Sequence, residues 1–237
     1  MCLIFLFVVS STVVEAQEKL DPENWLRGIE EAYSKIDHYT AIFHKQERIK
    51  GNLNKEETIL IKFKKPFKVY MKWIKDPYKG REVLYVDRWN KNQMMVHEGG
   101  IMNLLTVSLN PKGAIAMKGN RHPITKSGFG HLIRLIGENL HRGIGNGEFT
   151  LKKQGEEVVY GRMTQKFELI FPKDKAKGYY CFRGIINLDV EKKVPLKIQI
   201  YDWDDILIEN YGYEDVKLNP GLIDADFDPK NPEYKFY

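Results

Sequence analysis

Cysteine is close to absent. Cys2 and Cys181 are the two in 237 residues, and Cys2 precedes an apolar run from Leu3 to Val9. That order excludes Cys2 as a lipid-modified cysteine at a cleavage point. The run leads through Ser10, Ser11 and Thr12 to a Val-x-Ala step ending at Ala16. This is the form of a signal-peptide h-region with a small-residue cleavage site, so residues 1–16 read as a signal peptide. No Lys or Arg precedes the run, so its n-region reads as truncated; an N-terminal core strand is the other reading. A spanning helix is excluded, because it needs about 20 apolar residues in succession. Without residues 1–16, Cys181 stands alone and no intramolecular disulfide can form. In Tyr179-Tyr180-Cys181-Phe182 the thiol reads as a small packed hydrophobe and not as a nucleophile.

Low-complexity tracts are lacking too. Glycine (19) and proline (10) are spread along the chain, and charged residues make up 29% against 43% hydrophobic. That composition excludes a wholly disordered or collagen-like chain. Lys+Arg 37 against Asp+Glu 32 leaves a net charge of +5. This is too small and too dispersed for a nucleic-acid protein, but it suits attraction to an anionic membrane surface. Lys62, Lys64, Lys65, Lys68, Lys72 and Lys75 lie among strands and read as a solvated face.

Catalytic and metal-binding signatures are missing as well. His38, His44, His97, His122, His131 and His141 form no His-Glu-x-x-His pair and no Cys/His cluster, so zinc has no support. His131 and His141 are too far apart along one helix to share an ion and read as surface histidines. Asp202-x-Asp204-Asp205 has no glycine at the sixth calcium-loop position. Asp224-x-Asp226-x-Asp228 puts Pro229 there, and Lys235 where a bidentate Glu is required. The first reads as a hairpin turn. Gly143-x-Gly145-x-Gly147 ends a helix instead of opening one, so it is no phosphate loop. There is no Gly-x-Ser-x-Gly elbow. Glu156 and Glu157 are neighbours on a strand and face opposite sides. The expectation is no catalytic residue, no metal, no cofactor and no enzyme.

What is present is strand periodicity between two helices. Asp21 and Pro22 open a helix carrying Trp25, Ile29, Ala32, Tyr33 and Ile36 on one stripe. Strands are expected at 39–49, 58–64, 67–75, 80–87, 93–97 and 104–109, joined by tight turns into an antiparallel meander. Leu60, Tyr70, Ile74, Leu84 and Val86 make the second face apolar too, which fits a curved sheet with a partly covered outside. An irregular crossing over 110–125 precedes a helix opened by Ser127, with Phe129, Leu132, Ile133, Ile136 and Leu140 as its stripe. Gly143 to Gly147 is expected to stop it. With glycines weakening it, this helix reads either as a movable cover or as an ordinary packed helix. Strands follow at 148–154, 158–171, 183–190, 196–201 and 206–216. The proline-bearing end reads as a pinned extended tail.

The resulting class is α+β, mostly β: a strongly curved antiparallel sheet, an open half-barrel, with helices covering the concave face. Residues 17–237 form one domain, expected as a monomer. Phe43, Ile61, Phe63, Met71, Trp73, Tyr85 and Met95 from the strands, with Leu132 and Ile136 from the second helix, are the candidate lining of an apolar cavity. Methionines add adaptable surface for ligands of variable shape. The other reading of the same residues is a filled core.

Tyr39-Thr-Ala-Ile-Phe-His-Lys-Gln-Glu-Arg48, Lys65-Pro-Phe-Lys-Val-Tyr-Met-Lys-Trp73, Gly80-Arg-Glu-Val-Leu-Tyr85 and Asp226-Phe-Asp-Pro-Lys-Asn-Pro-Glu-Tyr234 resemble the bacterial envelope family termed domain of unknown function 1571. The helix followed by Tyr-Thr-Ala-x-Phe also resembles the wider lipoprotein-carrier superfamily typified by LolA. That resemblance implies a half-barrel whose concave apolar side takes acyl chains of lipids or lipidated proteins, in the periplasm. The alternatives are an envelope scaffold protein with a filled core and an envelope hydrolase.

Overall fold

The structure, a computed structural model, describes residues 20–100 and 105–236. The expected signal peptide at 1–16 lies outside them. Asp21 caps the first helix, α1 (Pro22–Ser34), by accepting from the N–H groups of Glu23 (3.0 Å) and Asn24 (3.4 Å). Pro22 costs nothing at the first position, where its missing N–H would have had no partner. Trp25, Leu26 and Ile29 form the buried stripe.

The strands follow in two runs. The first holds β1 (His38–Ile49), β2 (Asn52–Leu53), β3 (Glu57–Lys64), β4 (Lys68–Trp73), β5 (Glu82–Val86), β6 (Met94–His97) and β7 (Thr106–Leu109). Two helices intervene, α2 (Ala114–Met117) and α3 (Phe129–Asn146). The second run holds β8 (Thr150–Val159), β9 (Arg162–Ile170), β10 (Arg183–Asp189), β11 (Pro195–Tyr201) and β12 (Leu207–Leu218). All join one antiparallel sheet in the order β7-β6-β5-β4-β3-β1-β12-β11-β10-β9-β8, with β2 on β1. The two meanders meet where β1 pairs with β12, and β7 and β8 are left as the edges. The fold is the expected open, mostly β half-barrel.

Register decides what faces inward. Tyr39, Phe63, Val69 and Tyr85 pair across β1, β3, β4 and β5, forming one row of the inner face. Phe129, first residue of α3, lies with its ring 4.5 Å from those of Tyr39 and Tyr213. Gly128 offers no capping side chain, so the Tyr39 hydroxyl accepts from the Phe129 N–H at 3.3 Å. On the other half of the sheet Trp25 of α1 meets Phe167 of β9 at 5.1 Å.

Among the boundaries that differ from expectation, two turn on glycines. Helix α3 runs through Gly143 and Gly145 and ends at Gly147, which is left-handed and donates to the Gly143 and Ile144 carbonyls. Gly143 stays in the helix because Phe149 packs there; a Cβ would lie 2.8 Å from that of Phe149. The break expected near residue 154 is also absent. Strand β8 passes through an irregularity between Lys153 and Gly155, and the turn falls at Tyr160-Gly161, both at positive φ. Gly155 has φ +108. A single glycine in a strand signals a bulge as readily as a turn.

Over β3 to β6 the outer face is covered by the chain's end. Tyr70 and Leu84 pack with Phe227, Tyr234 and Phe236 into a second apolar cluster. Tyr234 stacks on Tyr70 with ring centroids 3.9 Å apart, and its hydroxyl donates to the Asp226 carbonyl at 2.5 Å. Lys62 pairs with Asp226 at 3.2 Å; Lys64 and Lys68 pair with Asp224 at 3.1 and 2.8 Å. Three of the six lysines expected on a solvated face are therefore matched to acids at the far end of the chain, and Lys72 pairs with Glu82 at 3.1 Å instead. These pairs also explain the Asp224 and Asp226 carboxylates, and Asp202 caps the β11–β12 turn by accepting from Asp204 and Ile206.

Truncating Tyr234 to Ala is expected to lower stability by about 3 kcal/mol, as for a buried aromatic elsewhere. Tyr234→Phe should cost about 1 kcal/mol, for the hydrogen bond alone. Urea unfolding of both variants measures the two contributions.

Candidate functional site

Not all of the concave face is filled by helices. Beyond the row under Phe129 a cleft of about 960 Å³ opens between the sheet, the start of α3 and the crossing segment at 110–127. Its floor follows from register. Tyr213, Phe43, Ile59 and Trp73 pair across β12, β1, β3 and β4, and Met71, Val83 and Val96 continue across β4, β5 and β6. The next row is Tyr211, Lys45 and Glu57, and after it come Glu209 and Glu47. The lining thus changes from apolar to charged along the strands.

The charged rows hold the crossing segment in place. Glu209 is fully buried. Its Oε1 accepts from Arg121 Nε at 2.6 Å and from the Tyr180 hydroxyl, and His122 Nε2 lies 3.1 Å away. Glu47 accepts from the Tyr211 hydroxyl (2.5 Å) and the Arg121 backbone N–H (2.9 Å). Lys45 donates to Glu57 (3.0 Å) and to Asn120 (2.6 Å), and Trp73 Nε1 donates to Glu57 at 2.6 Å. Asn120, Arg121 and His122 are consecutive, so one short stretch of the crossing is pinned to β1 and β12. Burial opposes the charge on Glu209, but the hydrogen bonds from His122, Tyr180 and Arg121 outweigh it and hold the carboxyl below its usual range. Burial, and secondarily Glu209, pushes the Cys181 thiol up to about 12. That agrees with a packed, unreactive cysteine.

Of the candidate lining residues, Phe43, Met71, Trp73 and Leu132 border this cleft. All four are also buried members of the core cluster, as are Ile61, Phe63 and Tyr85, which share the inner face without bordering the cleft; Phe67 lies edge-on to both Phe63 and Tyr85. Ile136 packs against the same core from α3. Met95 is on the other face, opposite Leu84 and beside the outer cluster. The inward residues of β6 are Met94 and Val96, because Val96 pairs with inward Val83. Lys45, Glu47, Glu57 and Glu209 were not foreseen as lining. Their signal was available: each alternates with an inward aromatic or aliphatic residue. His131, expected on the surface, borders the cleft with its ring 5.5 Å from that of His122. The crossing segment covers it. Among the described residues no group of His, Cys, Asp and Glu could hold a metal ion.

Residues 36–236 match the family described as protein of unknown function (DUF1571). The chain belongs to the DUF1571 family. None of the curated proteins matches it in sequence. Among solved structures, it is similar to MucB, at 15% identity and a TM-score of 0.52 over 90% of this chain and 64% of MucB. It thus spans less than two thirds of MucB. It is also similar to the lipoprotein LppX of Mycobacterium tuberculosis, at 12% identity and a TM-score of 0.51, over 88% of this chain and all of LppX (100%). A LolA superfamily protein from Nitrosomonas europaea matches at 11% identity over 88% of this chain and 98% of that one, with a TM-score of 0.36. These likenesses concern the fold. The DUF1571 assignment read from the sequence holds, and so does the open half-barrel.

Burial first, and then the charges of His122, Arg134 and Lys126, push His131 down to about 4. The unfolded chain takes up this proton near pH 6.5 and the folded one near pH 4, so stability falls as pH drops through that window. Replacing His131 with Gln should therefore shrink the loss in urea midpoint between about pH 7 and about pH 5. An equal loss in both proteins would contradict the assignment.

Proposed function

We propose that this DUF1571 protein is a periplasmic, carrier-like binding protein that holds acyl chains of a lipid or lipidated protein in its concave cleft. It is made with a signal peptide over residues 1–16 and works as a single domain, 17–237, monomeric and without catalytic chemistry. The observation that carries this reading is the cleft of about 960 Å³ with a continuous apolar floor. Ligand pockets commonly measure about 300–1,000 Å³, so there is room for a long flexible chain. Each buried methylene contributes about 0.8 kcal/mol, so a floor without specific polar contacts can still bind tightly.

Further features support it. Phe43, Met71, Trp73 and Leu132 border open space, which favours binding over a scaffold with a filled core. Glu47 and Glu209 are engaged by Arg121, Tyr180 and Tyr211, which gives them a structural task in place of acid–base work. No described helix is long and apolar enough to cross a membrane. The fold is shared with LppX, itself a lipoprotein, and an anionic membrane surface suits the net charge of +5.

The test is uptake of a fluorescent long-chain fatty acid, together with native mass spectrometry of the purified protein. Bound lipid or saturable uptake is expected. Met71→Glu should weaken uptake at least about ten-fold by placing a charge on the apolar floor, while Lys152→Ala on exposed β8 should not change it. Neither lipid nor uptake in the native protein would overturn the reading.

A further inference from the structure

Charge is distributed unevenly around the cleft. Four carboxylates line it, and each has a basic partner: Glu47 and Glu57 with Lys45 at 3.5 and 3.0 Å, Glu98 with Arg81 at 2.9 Å, and Glu209 with Arg121 at 2.6 Å. The lining also holds Lys50, Lys55, Lys118 and Lys126. All four are exposed, and none makes an ion pair among the described residues. They come from two sides. Lys50 and Lys55 flank β2, Lys118 follows α2, and Lys126 ends the turn before α3. Along β1 the lining passes from apolar Phe43, through ion-paired Lys45 and Glu47, to Ile49, and unpaired Lys50 follows just past the strand's end.

From this order we infer that the ligand is an amphiphile with an anionic head, a phosphate or carboxylate, held at the mouth by Lys50, Lys55, Lys118 and Lys126 while its tail lies on the apolar floor. The inference rests on the acyl-chain reading above and adds the class of head group. Several cations of one sign around a concave opening focus potential on it. Oxyanions gain stronger, charge-assisted hydrogen bonds from ammonium groups than neutral heads do. The other basic lining groups, Lys45, Arg81 and Arg121, are already matched to carboxylates, so the positive charge left for an anionic head is that of the four lysines. A neutral or zwitterionic head would leave the lysine field unmatched.

The experiment compares dodecyl phosphate, dodecylphosphocholine and inorganic phosphate by titration calorimetry, with both amphiphiles below their micelle concentrations. Dodecyl phosphate is expected to bind about ten-fold more tightly than its zwitterionic counterpart of equal tail. That preference should vanish between about 0.1 and 1 M salt, as the Debye length falls from about 10 to about 3 Å. It should also vanish in the combined Lys50→Gln, Lys55→Gln, Lys118→Gln, Lys126→Gln protein, and reverse in the matching Lys→Glu protein. Circular dichroism and melting temperature check that both variants fold. Equal binding of the two amphiphiles by the native protein, or a preference that survives in the glutamine variant, overturns the head-group assignment and leaves the acyl reading standing. Inorganic phosphate binding as tightly as dodecyl phosphate overturns the amphiphile itself. Failure of both amphiphiles to bind removes the acyl reading and this inference with it.

Discussion

Glu209 is the point on which the cleft depends. A carboxylate with no exposure to water cannot be left without donors, because its desolvation is among the largest penalties in a protein interior. Arg121, His122 and Tyr180 supply them at Oε1, while the buried Oε2 makes no hydrogen bond. Two of the three belong to the crossing segment, so satisfying the charge also fixes where that segment runs. It is held across the sheet at the polar end and leaves the apolar floor beneath it uncovered. An all-apolar wall in the same place would have no reason to stop short of collapse onto Phe43 and Trp73.

The opposite face solves a different problem. A sheet with apolar residues on both sides needs cover on both, and the chain has helices for only one. The terminal segment takes the other side with Phe227, Tyr234 and Phe236. Its Asp224 and Asp226 meet lysines of β3 and β4. Partly exposed pairs of this kind add little stability individually. Their contribution is to set where the tail lies, so that Tyr234 comes down on Tyr70. With its outside closed in this way, the sheet presents open apolar space on the concave side.

Much of the fold was legible in the residues. Period-two alternation over β1, β3, β4 and β5 placed Phe43, Met71 and Trp73 on one face, and Asp21-Pro22 announced α1 at the correct residue. The failures have physical causes. β6 is short and apolar on both faces, so alternation could not decide between Met94 with Val96 and Met95; only pairing of Val83 with Val96 does. A break was expected after residue 154, whereas backbone pairing carries β8 through Gly155. Tyr85 and Phe63 were on the expected face, yet which inward residues meet open space depends on where Phe67 and Phe129 happen to pack. Charged residues at inward positions, such as Lys45 and Glu47, follow Phe43 in the same alternation, and only their pairing with Tyr211 and Glu209 shows them facing the cleft.

The sequence alone determined the class of the fold, the family and the absence of any recognisable catalytic motif, because these rest on local periodicity, composition and short runs of residues. Tertiary structure decided the rest: that the outer face is roofed by the tail, that Arg121 and His122 reach Glu209, and that part of the concave face remains uncovered. Those outcomes depend on residues scores of positions apart arriving at one place. Contact at such range is set by strand order and register, which no window of neighbouring residues contains.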